Sequence, residues 1–264
     1  MIVAFILATF VPSVAAEEKP AESGWEFQVA PYLWAISMKG NVTVKGLEAD
    51  VDVGFKDILD ELNFAVMLAY EARKKHWGLW GNTSYAHLGD SDVEGPLGLT
   101  KIDPTVNALW QGLGATYRLG AWDLADNSGK KKVSVTVDTF AGARYTYLNL
   151  EIDFKGVFQG RFNKVDKNKS WVEPLIGART IWDLSERWTV TLAGDIGGVV
   201  AGSDFAWNAW GLIGYRFNLF GEDNARVLAG YRALNQDYTD GSGRDKFQWD
   251  VTIHGPILGL SIGF

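Results

Sequence analysis

The chain has 264 residues and a formal net charge of −7, and it contains no cysteine. The missing cysteines exclude disulfides, thiolate metal sites and a lipid-modified N-terminal cysteine. Basic and acidic residues are interspersed without a basic block, so nucleic acid is not expected as a partner. The 12 tryptophans, 14 phenylalanines and 30 glycines suit interfacial aromatic belts and closely packed strands.

The segment 1–16 carries no charge and predicts an export signal. Its apolar run, 2–11, is followed by a proline and small residues, and cleavage is expected before Glu17. A short membrane anchor is the alternative, but the run is shorter than the ~20 apolar residues that a spanning helix needs. Residues 17–24 form a polar linker, and no later window approaches that apolar length. If the remaining chain, 25–264, crosses a membrane, it must do so as strands.

The first strand is predicted at 25–36, where apolar and polar residues alternate. The first outer connection, 38–63, follows it. Within this connection, 42–44 and 51–53 are expected to pair as a small hairpin about Gly46.

After this hairpin, the spacing of the apolar residues changes to that of a helix. Phe55, Ile58, Leu59 and Leu62 recur at i, i+3, i+4 and i+7, which predicts a short amphipathic helix in the first extracellular loop. Two positions for this helix stay open. Its four apolar residues form a plug in the mouth of a barrel, or the helix caps the rim of that barrel.

The rest of the chain repeats strands and turns. The further predicted strands are 64–73, 77–88, 105–119, 132–148, 171–184, 188–196, 205–217, 227–238 and 246–264. Turns at 74–76, 120–131 and 185–187 alternate with outer connections at 89–104, 149–170 and 197–203. The count is about ten strands, within a range of eight to twelve that depends on the hairpin. An even number returns both termini to the periplasm, as bacterial barrels require.

The last strand carries two apolar stripes of opposite parity. Odd positions are apolar from Phe247 to Ile253, and even positions are apolar from Leu258 onwards. We predict a β-bulge at Gly255 and Pro256 that brings both stripes to one face, unless 247–253 forms a separate hairpin arm. The residues predicted to face lipid are Phe205, Trp207, Tyr215, Phe217, Leu258, Leu260, Ile262 and Phe264.

Ionisable residues occupy the opposite faces of the predicted strands. A charge that faces lipid near the bilayer midplane costs ~2–4 kcal/mol for Arg or Lys, so these residues are expected to line a lumen. A salt-bridge network that fills the interior is the favoured interpretation, and a constriction that sorts solutes by charge is the alternative. The predicted lumen-lining residues are Glu26, Glu71, Arg73, Asp138, Arg144, Glu173, Arg179, Asp183, Asp195, Arg216, Arg232 and Asp250.

Motifs for catalysis or metal binding are missing from the sequence. It contains no GxSxG, phosphate loop or metal-ligand cluster, and His76, His87 and His254 fall in turns, at the rim or at the predicted bulge. We therefore expect no catalytic residue, no metal site, no cofactor and no enzymatic activity. The alternatives are an outer-membrane lipid-modifying enzyme and a soluble periplasmic lipocalin-like binding barrel.

Several short motifs recur along the chain in a recognisable order. They are PYLW at 31–34, the run 55–85, WVEPLIGAR at 171–179, GDIGG at 194–198, GYRF at 214–217, GYRAL at 230–234 and HGPILG at 254–259. With the terminal phenylalanine, this set resembles a family of largely uncharacterised, porin-like outer-membrane β-barrel proteins of Gram-negative bacteria. The resemblance implies the location and the fold, and it brings no established activity.

These observations predict an all-β protein: a closed antiparallel transmembrane β-barrel of about ten strands over 25–264, in the bacterial outer membrane. The expected role is porin-like or structural, with a narrow, charge-paired lumen that the helix plugs in one of its two open positions. The expected partners are outer-membrane lipid, lipopolysaccharide and the barrel-assembly machinery through the C-terminal strand. We expect a monomer.

Overall fold

The computed structural model describes residues 24–44, 46–89, 93–94, 100–124, 133–156, 164–198, 201–219 and 222–264. The predicted export signal and all but the last residue of the predicted linker lie outside these residues. The described helices are α1 (Phe55–Asp60) and a 3-10 turn (Gly243–Asp245). The strands are β1 (Glu26–Trp34), β2 (Ser37–Val44), β3 (Leu47–Val53), β4 (Leu62–Lys74), β5 (Trp77–Gly89), β6 (Val93–Glu94), β7 (Thr100–Leu124), β8 (Val133–Gly156), β9 (Lys164–Asp183), β10 (Trp188–Gly198), β11 (Phe205–Leu219), β12 (Glu222–Asp240) and β13 (Phe247–Gly263).

The sheet closes on itself as an antiparallel barrel of ten strands. The order around the wall is β1, β4, β5, β7, β8, β9, β10, β11, β12 and β13, and β13 returns to pair with β1. In this closing pair Gln28 lies opposite Gly263 and Trp34 lies opposite Ile257. Closure pairs the first and last strands of the wall, which removes the open edge that an unclosed sheet would expose. The predicted all-β barrel of about ten strands is confirmed.

None of the helices in the described ranges has the length and apolar character needed to cross a bilayer.

β13 is long enough to pair with two successive segments on one side. β1 and β2 follow it in one continuous register, and Ser37 of β2 lies opposite His254. β4 pairs with β1 as far as Pro31, which has no amide hydrogen to donate, and β2 then pairs with β3 instead. A hairpin about Gly46 is confirmed, and the φ of 76° at Gly46 suits the turn. The predicted pairing of 42–44 with 51–53 is wrong, because 42–44 pair with 47–49 and 51–53 pair with 38–40.

α1 connects β3 to β4 and confirms the predicted short helix. It begins after Gly54, whose amide donates to Asp57 Oδ2 at 3.1 Å, and the amide of Phe55 donates to Ser37 Oγ at 3.0 Å. The helix is shorter than predicted, because Leu62 already belongs to β4.

The two ends of the barrel differ in how their strands are joined. Lys75 and His76 alone join β4 to β5, with Lys75 at a φ of 58°, and 184–187 join β9 to β10. Short turns mark the periplasmic end of a bacterial barrel. The end that carries β2, β3 and α1 is therefore the extracellular end.

The strands reach further at the extracellular end than the sequence predicts. β8 runs to Gly156 and β9 begins at Lys164, with Asn149 opposite Asn168, so most of the predicted loop 149–170 is strand. Beyond the bilayer both faces of a strand tolerate charge, so charged residues there do not mark a loop.

β13 runs without a bulge, which makes the predicted bulge at Gly255 and Pro256 wrong. Its pairing with β12 keeps one register along its whole length. Glycine is required at 255 for another reason, since a Cβ there would lie 1.8 Å from the carbonyl oxygen of Ala35 on the neighbouring strand. The odd apolar positions of β13 therefore face the interior and are buried: Trp249, Val251 and Ile253.

The outer surface is apolar around the middle of the wall. Leu258 is 57% exposed on this face, and Phe205 and Phe264 are also exposed. At the periplasmic margin, aromatic rings contact each other across strands, with the Trp188 and Tyr215 centroids 4.9 Å apart. An apolar belt with aromatic margins is characteristic of a wall in contact with lipid. The other predicted lipid-facing residues share this face and are partly covered by neighbours: Trp207, Tyr215, Phe217, Leu260 and Ile262.

Candidate functional site

The extracellular half of the lumen is filled by apolar side chains. Leu234, Val251 and Ile253 are fully buried there, and Trp171 stacks on Tyr238 with ring centroids 4.3 Å apart. We call this cluster the outer core. Its buried members are Trp34, Ile36, Ala108, Trp110, Trp171, Leu234, Trp249, Val251, Ile253 and Ile257.

A polar network, the upper network, contacts the outer core from below. Arg144 donates to Glu173 at 2.7 Å and also to Asp195. Arg144 and Glu173 lie directly opposite each other on β8 and β9, so the strand register sets this pair. Glu173 also accepts a hydrogen bond at 3.1 Å from Gln236, which in turn accepts one at 2.9 Å from the Trp110 indole. The upper network therefore ties the charged pair to the outer core.

Arg232 is buried in the upper network, and its direct hydrogen-bond partners are neutral. It is 8% exposed, its Nε donates to Asn208 Oδ1 at 2.9 Å, and its guanidinium carbon lies 4.5 Å from the centre of the Trp34 ring. Its Nη1 lies 3.4 Å from both Tyr32 Oη and Asn82 Oδ1. In the described parts of the chain, no carboxylate forms an ion pair with Arg232, so cation–π and amide contacts hold this charge.

A second charged cluster, the lower network, lies on the β4–β9 side of the lumen. Asp138 is fully buried and accepts hydrogen bonds from Arg73 and Arg118 at 3.0 Å each and from Arg179 at 2.6 Å. Glu71 accepts from Arg73 at 2.6 Å and from Arg179 at 2.8 Å. Three guanidinium groups therefore share two carboxylates, which leaves one excess positive charge.

The periplasmic rim of the lumen carries two neighbouring arginines. Arg216 and Arg226 lie directly opposite each other on β11 and β12, and both face inward. Arg216 lies 3.9 Å from Asp183, which also accepts from Thr189 at 3.0 Å. Arg226 makes no hydrogen bond or ion pair with the described side chains, and its Nε is buried without a partner. Glu26 is exposed at the same rim on β1, two strands along the wall from β12.

A cavity of about 280 Å³ lies between the networks. Trp80, Phe140 and Trp210 form its aromatic wall, with ring centroids 5.6 Å apart in the first pair and 6.1 Å apart in the second. It ends beneath Trp110 and Arg232, and it reaches Thr189 and Arg226 near the periplasmic ends of β10 and β12. The cavity therefore approaches the periplasm and stops at the outer core.

Asp250 is the predicted lumen residue that the structure places outside the barrel. It shares the outward face of Leu258 because β13 has one register, and it lies opposite Asp237 on β12. Its predicted position followed from the bulge that β13 lacks. The other predicted residues face inward, and the two networks and the rim bring most of them together: Glu71, Arg73, Asp138 and Arg179; Arg144, Glu173, Asp195 and Arg232; and Asp183 and Arg216.

Several site residues were missed by sequence reasoning. Arg118 and Gln111 have opposite parity on β7, so the sequence alone does not assign the faces of this strand. The structure places Gln111 outward, where it accepts from Thr83 at 2.6 Å, and Arg118 in the lower network. Asn208 and Arg216 lie an even number of positions apart on β11, so the inward position of Asn208 could have been predicted from the sequence. The aromatic wall gave no such signal, because an inward tryptophan and a lipid-facing tryptophan look alike in sequence.

α1 lies at the extracellular rim. Ile58 packs against the outer core, whereas Phe55 and Leu59 are 42% and 40% exposed, and Leu62 is part of β4. The lumen beneath this helix is filled by side chains of the barrel wall itself.

The three histidines lie away from the lumen. His76 Nδ1 contacts the Arg118 carbonyl oxygen at 2.9 Å in a periplasmic turn. On the outer face, His87 contacts Asn107 at 2.8 Å and His254 contacts the Tyr231 hydroxyl at 2.6 Å. No group of His, Asp and Glu suited to a metal ion occurs in the described ranges.

Comparison with known proteins finds likeness in structure alone. No family model and no curated protein matches the sequence. The fold is similar to that of the attachment invasion locus protein Ail of Yersinia pestis, at 12% identity over 91% of this chain and 99% of Ail, with a TM-score of 0.36. It is also similar to the outer membrane protease OmpT of Escherichia coli, at 10% identity over 91% of this chain and 97% of OmpT, with a TM-score of 0.49. A third similar structure is the translocator domain of the autotransporter NalP from Neisseria meningitidis, at 10% identity over 90% of this chain and 86% of that chain, with a TM-score of 0.33.

The physical character of the wall is that of a membrane-spanning barrel. A soluble lipocalin-like barrel would turn polar side chains outward, whereas here Leu258 and Ile176 stand 57% and 61% exposed on the outer face. A closed wall, an apolar belt, aromatic margins and inward charges together meet the requirements of a bilayer. The protein is an integral, ten-stranded β-barrel of the bacterial outer membrane.

Proposed function

We propose that this protein is a structural barrel of the outer membrane, porin-like in its wall but without a standing channel. The observation that carries the proposal is the outer core, which fills the extracellular half of the lumen. Ions and solutes cross barrels through hydrated lumens, and an apolar constriction without room for water blocks them.

The buried side chains make spontaneous opening rare. Displacing Leu234, Val251 and Ile253 into water would cost roughly 5–9 kcal/mol, at about 1.5–3 kcal/mol for each side chain. An open state would then be populated below about one part in a thousand. The upper network adds to this cost, since its hydrogen bonds connect to the outer core through Trp110.

We also propose that the barrel has no catalytic role and works as a monomer. The positions of the histidines, on the outer face and in a turn, support the first point. The wall is in contact with outer-membrane lipid, and we propose that its last strand engages the barrel-assembly machinery. Deletion of Phe264 should lower the yield of folded protein in the membrane, and light scattering in detergent should give a monomer mass.

Single-channel recording in a planar lipid bilayer tests the closed lumen. The wild-type protein should give no steady conductance above the lipid baseline. The double variant Leu234→Ala, Val251→Ala should give frequent openings, because it shortens the outer core. Leu258→Ala is the control for the leucine truncation, since it removes the same side-chain carbons as Leu234→Ala but from the lipid face, and it should leave the baseline unchanged. A steady conductance from folded wild-type protein would overturn the proposal.

A further inference from the structure

We propose that the lumen cavity is a binding site, reached from the periplasm, for a small monoanion with an aromatic body, such as an aromatic carboxylate. This inference is independent of whether the outer core opens, because the cavity lies below it. The shape of the cavity, its charge and the direction of access to it each support this proposal.

The cavity wall is suited to a flat apolar body. Trp80 and Phe140 meet edge to face at 74°, and Phe140 and Trp210 are tilted by 43°, so the three rings form a continuous aromatic surface. Leu212, Leu228 and Ile257 complete the apolar lining. Its volume of about 280 Å³ is at the small end of ligand pockets, which span about 300–1,000 Å³. A substituted benzene ring fits these dimensions, and a drug-sized molecule does not.

The charges in the cavity favour an anion over a cation. At its closed end Arg232 hydrogen-bonds only to neutral groups, so a carboxylate there would be the first anion in direct contact with this guanidinium. The cavity carboxylates Glu71 and Asp195 are already occupied by arginines. An incoming cation would have to compete with those guanidinium groups, whereas an incoming anion displaces nothing.

The arginines at the periplasmic rim indicate the direction of access. Arg226 lines the cavity and has no partner among the described side chains, while Arg216 opposite it has Asp183 at 3.9 Å. With the excess charge of the lower network, the periplasmic half of the lumen is positive although the chain as a whole is acidic. Such a mouth raises the local concentration of anions and their rate of binding.

Calorimetric titration of the folded protein in lipid nanodiscs tests the site, with 4-bromobenzoate as the probe and protein-free nanodiscs as the blank. We expect saturable binding of one molecule, with a Kd below about 1 mM. The neutral analogue 4-bromobenzamide should bind at least about tenfold more weakly, because it lacks the charge that Arg232 pairs with. Bromine anomalous scattering from a crystal soaked in the probe should place it beside Trp80 and Trp210.

Single variants test the roles of Arg232 and Arg226 in binding, with a control for the loss of an arginine elsewhere. Arg232→Gln should weaken 4-bromobenzoate binding at least about tenfold and leave 4-bromobenzamide unchanged. Arg226→Gln should mainly slow association, and because this side chain has no partner, the variant should fold. Arg244→Gln, at an exposed extracellular position, is the control and should bind like wild type.

Three outcomes would overturn the proposal. They are no saturable heat above the blank, equal affinity for the acid and the amide, or bromine located on the outer belt instead of in the lumen. If Arg232→Gln fails to fold, the comparison of acid with amide on the wild-type protein still decides. The conductance of the wild-type barrel is a separate result, so failure here leaves the closed-lumen proposal standing.

Discussion

Asp138 is the residue whose loss should damage the barrel interior most. It is fully buried and accepts hydrogen bonds from three arginines on β4, β7 and β9, so it joins strands on both sides of β8. Asp138→Asn keeps the size and shape of the side chain and removes its charge. The three guanidinium groups would then share one remaining carboxylate, that of Glu71.

The expected loss of stability follows from the burial of the cluster. Removing one partner of a buried ion pair costs about 3–5 kcal/mol, because the remaining charge stays desolvated. The asparagine oxygen can keep at most two of the three hydrogen bonds, those from Arg73 and Arg179, and its amide group then faces the Arg118 guanidinium, with which it cannot pair. We therefore expect Asp138→Asn to lower the free energy of unfolding by about 3–5 kcal/mol.

Urea titration of the barrel in phospholipid vesicles measures this loss, with the folded fraction followed by gel mobility and tryptophan fluorescence. Asp240→Asn is the matched control, since it removes an exposed carboxylate that pairs with Lys169 at 2.6 Å, and its midpoint should lie only slightly below that of the wild type. In the double variant Asp138→Asn, Arg118→Gln, the loss should be smaller than the sum of the two single losses, because the second change lowers the excess from two positive charges back to the one of the wild type. If Asp138→Asn shifts the midpoint no more than Asp240→Asn does, the lower network is not a stabilising unit and the reasoning fails.

Three further predictions address the register, the strand packing and the extracellular end. Leu258→Arg should lower the free energy of unfolding in vesicles by about 2–4 kcal/mol, measured by the same urea titration. Asp250→Arg lies on the same face of β13 but beyond the apolar belt, so it should show no such loss. An equal loss for both variants would place Asp250 in the lumen or in lipid. Gly142→Val should abolish the heat-modifiable gel band of the folded barrel, because a Cβ at 142 would lie 2.2 Å from a backbone oxygen of β7, and a normal band would refute that close approach. The pKa of Asp240 is lowered by the hydrogen bond and the charge of Lys169, so the pair stabilises the fold above the unfolded-state pKa and this contribution is lost as pH falls through the folded-state pKa. Lys169→Met should raise the pKa of Asp240 towards its ordinary value in a carboxyl NMR titration, and an unchanged pKa would show that the pair does not form.

The sequence predicts the membrane-spanning part of the wall well, because lipid outside and charge inside impose strict alternation. Val133, Val135 and Val137 on β8 alternate with inward Asp138 and its neighbours as expected. Beyond the apolar belt, alternation of apolar and polar residues no longer identifies a strand. There β8 and β9 continue through charged sequence that resembles a loop, and the backbone pairing from Asn149 with Asn168 to Asp153 with Lys164 shows a strand.

The error at β13 has a physical cause. An apolar stripe identifies a face that avoids water, and both lipid and a protein core provide such a face. Trp249 and Val251 are apolar because of the outer core, and Leu258 is apolar because of lipid, so parity alone suggested a switch of faces. Polar residues at Asp250 and Thr252 on the alternate positions were the available sign that this half of the strand faces water on its outside. The members of the networks could be predicted from their inward parity, but which arginine meets which carboxylate depends on a register that the sequence does not state.

The pairing of β13 with β1 also determines when the barrel can close during folding. The side chains of Gln28 and Ser261, 233 positions apart, bond at 2.5 Å where β1 meets β13. A contact of such long sequence separation must wait until the intervening hairpins have assembled, so closure is expected to be a late and slow step of folding. Until the barrel closes, the arginines and carboxylates of its interior lie on one face of an open sheet, where water can solvate them. The chain therefore need not move unsolvated charges through hydrocarbon.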